Sequence, residues 1–353
     1  DVLAQRREAP GSTFKEMLVG LRERHDHALL DLTERVCSPF DLSGLTIPPS
    51  DWIDASFRDW CARNGVSILR CLQRGTTGQD LRAYVYLAID SDGIVKVFKE
   101  LIIRLDSEVE ILQRAQGIPG VPRFYGTVEV APDVVFLRME MCYGQDLSDW
   151  IRARTDMPSQ TVRHIVRRLA QILSALHERG IIYLDLKPEN VRVNGEEVTL
   201  IDFNVSRFGS QVVTQLMDPR YAAPETTLSQ VATPASDLYA LGVIYHQLEC
   251  LGAHPFALDE QAPEGDLEVA IIQYALPCAL LRFQASPLLA TRQSHDARLC
   301  IQEMLRKNPQ RRPSCAQIAS RLDGRPAAMP RALRRLTRTR EGNTVLFPAR
   351  MGI

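Results

Sequence analysis

Four side chains in one short stretch have the makings of chemistry. Asp185, Lys187 and Asn190 lie within Tyr183 to Asn190, which reads YLDLKPEN, and Asp202 follows twelve residues after Asn190, opening Asp202-Phe203-Asn204. A carboxylate can accept a proton or hold a divalent cation, an ammonium can offset negative charge, and a carboxamide oxygen can join a cation's shell. Such a set suits transfer of a charged group by positioning and charge compensation, without covalent steps. A solvated turn could carry the same letters, so the surrounding elements must decide.

The elements that would position these residues are legible as patterns. Ser67 to Gln73, Ala83 to Ile89 and Ile94 to Phe98 read as three antiparallel strands, the last two joined by Ser91-Asp92-Gly93. Arg163 to Arg179 reads as a long helix leading into YLDLKPEN, with Ile165, Leu169, Ile172, Leu173 and Leu176 on its buried face. Ahead of the strands, Thr13 to Cys37 has helical periodicity and Pro39 to Ser50 reads as a linker. A short helix, capped by Ser50 or Asp51, then carries Trp52, Ile53, Phe57 and Trp60 to a stop at Asn64-Gly65.

The YLDLKPEN stretch resembles the HRDLKxEN loop of the protein kinases, and Asp202-Phe203-Asn204 resembles their DFG. Further motifs follow in the right order. Glu108-Val109-Glu110-Ile111-Leu112 is similar to the E-x-x-I-L of the C helix, and Phe136 to Leu147 to the fifth strand and hinge. Ala222-Ala223-Pro224-Glu225 is similar to the A-P-E segment, Ser236 to Gly242 to the start of the F helix, and Asn308 to Ser314 to N-P-x-x-R-P-S. The resemblance is to the eukaryotic-like (Hanks-type) serine/threonine protein kinases and covers about residues 66 to 323. It implies an α+β, two-lobed fold: a small antiparallel β-sheet lobe over about 66–141 and a larger, mainly helical lobe over about 146–323. A helical extension, 1–65, would precede it, and an Arg- and Pro-rich tail or linker, 324–353, would follow.

The resemblance also implies roles. Asp185 would be the base and Lys187 would steady the transferring phosphate of ATP; Asn190 and Asp202 would hold magnesium, or manganese in its place. A third-strand Lys, held by Glu108, would grip the phosphates. Lys96 and Lys99 compete for that place; alternation, with Ile94, Lys96 and Phe98 on one face, favours Lys96. Gly78 would belong to the phosphate-cradling loop, Met139 would guard the back of the cleft, and the main chains of Glu140 and Cys142 would meet adenine. Asp146 would reach the ribose, although a helix cap at Asp146 or Ser148 explains the letters equally well. Arg192 stands where the family has an apolar adenine floor, and would stack on the base or turn away. Asp237 would support the catalytic-loop backbone and Arg312 would pair with Glu225.

Departures from the pattern temper these roles. Asp80 and Ala83 replace two glycines of the phosphate loop, and Tyr183 and Leu184 replace the His and Arg of HRD, which argues against activation by loop phosphorylation. Asn204 replaces the Gly of DFG, a mild change if the position needs positive φ. Asp218 takes the place of a Thr that meets the catalytic Asp and Lys. The expected activity is ATP- and magnesium-dependent phosphorylation of Ser or Thr in a protein substrate. A pseudokinase acting as a binding or regulatory module, and a kinase-fold enzyme acting on another substrate, are the alternatives; two metal-binding groups and a base favour catalysis.

Composition permits all this without deciding it. A formal net charge of -1 over 353 residues makes no case for nucleic acid, and no apolar run has the length of a membrane span. The eight cysteines show no C-x-x-C pair, which fits a reducing cytoplasm. Because the chain opens with Asp1, further domains of a longer polypeptide are expected. The apolar stripe of 13–37 and the cluster of Trp52, Ile53, Phe57 and Trp60 are expected to pack on the small-lobe sheet or against the helix carrying Glu108, bracing it.

Overall fold

The computed structural model describes residues 52–73, 83–101, 106–209, 218, 220–229, 231–255 and 292–323. The stripe of 13–37, the linker 39–50, Gly78 with Asp80, and the tail 324–353 lie outside the described residues.

Strands β1 (Ser67–Gln73), β2 (Val85–Ile89), β3 (Val95–Glu100), β4 (Phe124–Ala131) and β5 (Val134–Glu140) form an antiparallel sheet in the order β1-β2-β3-β5-β4. Register fixes its two faces. Lys96 pairs with Ala88 and Glu140, and Phe98 with Tyr86 and Arg138, so these share one face; Val97 and Lys99 share the other with Leu87, Met139, Val85 and Leu137.

The first face is covered by helix α1 (Ala55–Asn64), which buries Phe57 and Cys61. Phe57 stacks on Tyr86 with ring centroids 4.6 Å apart and on Phe136 at 4.4 Å, and touches Phe98 at 5.4 Å. The cap is Asp54, not Ser50 or Asp51: its carboxylate accepts from Phe57 N, while its own N–H donates to the Tyr86 hydroxyl at 2.8 Å. The helix stops at Gly65, whose φ of 68° closes the turn as the Asn64-Gly65 pair predicts. α1 therefore covers the face away from the helix carrying Glu108 and does not brace that helix directly; Trp52 remains 43% exposed. A boundary at residue 66 also cuts α1 from the sheet with which it shares a core.

Helix α2 (Asp106–Arg114) carries Glu108 and lies by the second face. Its Ile111 and Leu112 join Leu137 in one apolar cluster with the helical lobe. That lobe comprises β6 (Gln145–Asp146), α3 (Leu147–Arg152), α4 (Ser159–Glu178), β7 (Ile181–Ile182), β8 (Val191–Asn194), β9 (Glu197–Leu200), β10 (Arg207–Phe208), α5 (Pro224–Ser229), α6 (Pro234–Glu249), α7 (Arg292–Met304) and α8 (Cys315–Leu322). Helix α6 is buried from Ser236 to Glu249 and forms its axis, with α4 and α7 packed against it. Among the described residues no helix is long and apolar enough to cross a membrane. The two lobes, one a small antiparallel sheet and one mainly helical, are those the resemblance implies.

Candidate active site

The loop between β7 and β8 is shaped by a buried carboxylate beneath it. Asp237, near the start of α6, accepts from Tyr183 N at 2.9 Å, Leu184 N at 2.7 Å and His177 Nε2 at 2.8 Å. These bonds hold Leu184 at φ +70°, a costly conformation for a side chain of this kind, which turns the chain so that Asp185 faces the cleft. Leu184 itself is buried with Ile182 and Ala232, so a small apolar contact fills the place of an Arg. Tyr183 packs edge-on to Phe203, centroids 5.2 Å apart, and its hydroxyl donates to the Ile201 carbonyl. One side chain thus ties the loop of Asp185 to that of Asp202.

Lys187 Nζ lies 2.9 Å from Asp185 Oδ2 and 3.1 Å from Oδ1. Asn190 Nδ2 donates to Asp185 Oδ2 at 2.7 Å and to the Asp185 carbonyl at 2.9 Å. Burial pushes the Asp185 carboxyl above its usual range; Lys187 and Asn190 oppose the shift and the charge of Asp202 adds to it. That is the direction expected of a base tuned towards neutrality.

The expectation that Lys96 pairs with Glu108 is corrected. Lys99 Nζ lies 2.9 Å from Glu108 Oε1 and 2.7 Å from Asp202 Oδ1. Lys96, only 3% exposed, points to the opposite face, where Asp90 at 2.8 Å, Asp92 and the Tyr125 ring at 4.7 Å surround it. The physical reason is α1. With both faces of β3 covered, Phe98 is buried on the outer face, so alternation of apolar residues no longer points to the cleft. Val97, two residues before Lys99 and on its face, was the usable signal. Burial alone would lower the Lys99 ammonium, but Asp202 and Glu108 carry it above its ordinary value. Asp202 is held below the carboxylate range by Lys99 despite burial, whereas burial raises Glu108.

Asp202 sits at φ +66° and its carboxylate is 34% exposed. The positive φ thus falls on Asp202 rather than Asn204, whose N–H donates to Asp202 Oδ1 at 3.3 Å and whose buried amide oxygen has no hydrogen-bond partner among the described residues. The Asp202 carboxylate and the Asn190 amide oxygen, which takes no part in the bonds to Asp185, are hard donors of the kind magnesium accepts. Among the described residues no group of three or more His, Cys, Asp or Glu forms a metal cage. The rest of such a shell would fall to water and phosphate.

At the other end of the cleft, the Glu140 N–H donates to the Arg123 carbonyl at 2.8 Å, and its own carbonyl accepts from the Cys142 thiol at 3.8 Å. Burial, then the Glu140 carboxylate, pushes the Cys142 thiol up to about 12, so it stays protonated. Asp146 caps α3: its Oδ1 accepts from Asp149 N and Ser148 Oγ, both at 2.8 Å. Asp218 does not bond Asp185. It is gripped by Arg220, Nε to Oδ1 at 3.0 Å and Nη2 to Oδ2 at 2.6 Å. Arg312 meets Glu225 with two bonds, at 2.7 and 2.8 Å, joining the segment before α8 to α5 as expected.

Comparison with known proteins agrees with this geometry. A family model for the protein kinase domain matches residues 82–321. The chain is 29% identical over 239 residues to the serine/threonine-protein kinase ATG1b of Arabidopsis thaliana, covering 66% of this chain and 32% of that protein. It is 33% identical over 160 residues to a probable cAMP-dependent protein kinase catalytic subunit of Encephalitozoon cuniculi (45% and 49%), and 31% identical over 196 residues to the serine/threonine-protein kinase ULK3 of Xenopus laevis (54% and 39%). The chain spans at most about half the length of these relatives. By its family match, its two lobes and its ordered motifs, this chain belongs to the Hanks-type serine/threonine protein kinase family.

Proposed function

We propose that the chain transfers the γ-phosphoryl group of ATP to Ser or Thr hydroxyls of a protein substrate. The observation that carries this reading is the bridge from Lys99 to Glu108 and Asp202, whose loop Tyr183 ties to that of Asp185, Lys187 and Asn190. Transfer of this kind depends on placing charge where it develops, and each of these groups suits such a task. Asp185 would take the proton as the acceptor oxygen bonds to the γ-phosphorus and the bond to the β-phosphate oxygen breaks, leaving ADP. Lys187, beside Asp185, would meet the charge on the moving phosphoryl group, and Lys99 the phosphates that stay behind. Magnesium, or manganese in its place, would rest on Asp202 and Asn190 and neutralise the phosphates.

The test is phosphate transfer to a Ser/Thr-containing protein substrate by wild type, Asp185→Asn and Asp202→Ala, with mass spectrometry of the products. Each variant should fall by several orders of magnitude while remaining folded. Normal transfer by either would end the assignment, and a nucleotidyl adduct in place of phosphate would redirect it.

A further inference from the structure

The helix that carries Glu108 is fastened to the large lobe at its far end. Arg179, the half-buried residue that follows α4, donates from a single guanidinium nitrogen, Nη1, to the carbonyls of Arg114 and Gln116, both at 2.7 Å. Arg114 ends α2, and the last carbonyls of a helix have no partner within it. A cation placed there also meets the negative end of the helix dipole. A second hold lies beside the first: the Arg114 guanidinium stands over the Phe208 ring of β10, 4.5 Å from its centroid.

Both holds come from one small frame. β10 pairs with β7, Phe208 opposite Ile181 and Arg207 opposite Ile182, and Gly209 N donates to the Gly180 carbonyl at 2.8 Å. Arg179 runs directly into β7 and so into the loop of Asp185, while β10 follows soon after Asp202. Along α2, Glu108 lies six residues before Arg114, about 9 Å at the rise of an α-helix. Apolar packing of Ile111 and Leu112 draws α2 against the large lobe but is non-directional, whereas hydrogen bonds to two named carbonyls limit how far the helix can turn or slide. We propose that Arg179 is a positioning residue for phosphoryl transfer: by capping the C-terminal end of α2 from the large lobe, it holds Glu108 where Lys99 can meet it and Asp202 together. This rests on reading the cleft as a phosphotransferase site.

Two measurements on the full chain test this, kcat/KM for phosphate transfer per folded molecule and hydrogen exchange of the α2 amides, in wild type, Arg179→Met, Arg179→Lys, Glu108→Gln and the double variant of Arg179→Met with Glu108→Gln. Arg179→Met keeps the stem without the donors and should lose about 10- to 100-fold in kcat/KM, the scale on which small misplacements of catalytic groups are felt. Exchange along α2 should quicken while the amides of α4 and α6 keep their rates. Arg179→Lys should recover most of the loss, since an ammonium can also donate to two carbonyls. Because Arg179 acts through Glu108, losing it should cost nothing further once Glu108→Gln is present. A fall in melting temperature with kcat/KM unchanged, or equal losses with and without Glu108→Gln, would overturn the proposal. A wild type that transfers no phosphate would overturn the reading of function alone; quickened α2 amides in Arg179→Met would then uphold the clamp, and unchanged ones would sink it.

Discussion

The difference between Lys96 and Lys99 has measurable consequences. Lys99→Met removes a cation bonded to both Glu108 and Asp202 and should lower transfer per folded molecule by several orders of magnitude, while also costing stability because Glu108 is left buried without its partner. Lys96→Met leaves the buried Asp90 carboxylate with the Arg138 guanidinium at 3.3 Å and the Ser91 N–H, and should cost stability, on the order of 3 kcal/mol, while the folded fraction keeps its activity. The opposite ranking of activities would restore the discarded register. Asp185 should reveal itself in the pH dependence of activity. Its carboxyl is raised, and a base works only unprotonated, so activity should be lost as pH falls through a value above the ordinary carboxylate range. Lys187 opposes that rise, so Lys187→Met should move the acid limb of the kcat/KM profile to higher pH. A limb that stays in place would separate Lys187 from the titration of Asp185. The cluster of Asp185, Lys187 and Asn190 was legible because short sequence spacings bring the three side chains together. Lys99 was not, because its role depends on which face of β3 meets the cleft.

Helix α1 decides that face, and the cost of disturbing it can be read from its packing. Phe57 is fully buried among Tyr86, Phe98 and Phe136, so Phe57→Ala should destabilise the protein by about 3–5 kcal/mol. Because α1 packs on the sheet face opposite the one that carries Lys99, activity per folded molecule should persist at low temperature, measured beside thermal melts. Loss of activity without loss of stability would give α1 the regulatory role that its placement does not supply. Periodicity found the long helix, predicted from Arg163 and observed from Ser159, and found the stop at Gly65. It placed the start of α1 too early, because Ser50, Asp51 and Asp54 all have capping side chains, and the choice of Asp54, which accepts from Phe57 N, is settled by its N–H meeting the hydroxyl of Tyr86, a residue distant in sequence.

Across the whole molecule, the two lobes share more than a linker. Ile111, Leu112 and Leu137 of the small lobe belong to the same apolar cluster as the helices of the large one, and Lys99 reaches from the sheet to Asp202 on the far side. The two-lobed plan was legible because its motifs fall in order along the chain; the shared core was not, since it joins residues far apart in sequence. The bridge at Lys99 sets the terms on which ligands enter. One ammonium facing two carboxylates leaves the back of the cleft with surplus negative charge, unfavourable to a bare triphosphate and welcoming to one that arrives with a divalent cation. Metal and nucleotide should therefore behave as mutually dependent ligands, with a coupling of about 5- to 150-fold. ATP should bind more tightly by that factor with magnesium than with a chelator, whereas adenosine, which brings no phosphate, should bind equally in both. Reciprocity then requires that ATP tighten the metal by the same factor, and equal ATP affinity under both conditions would mean that Lys99 alone balances the site.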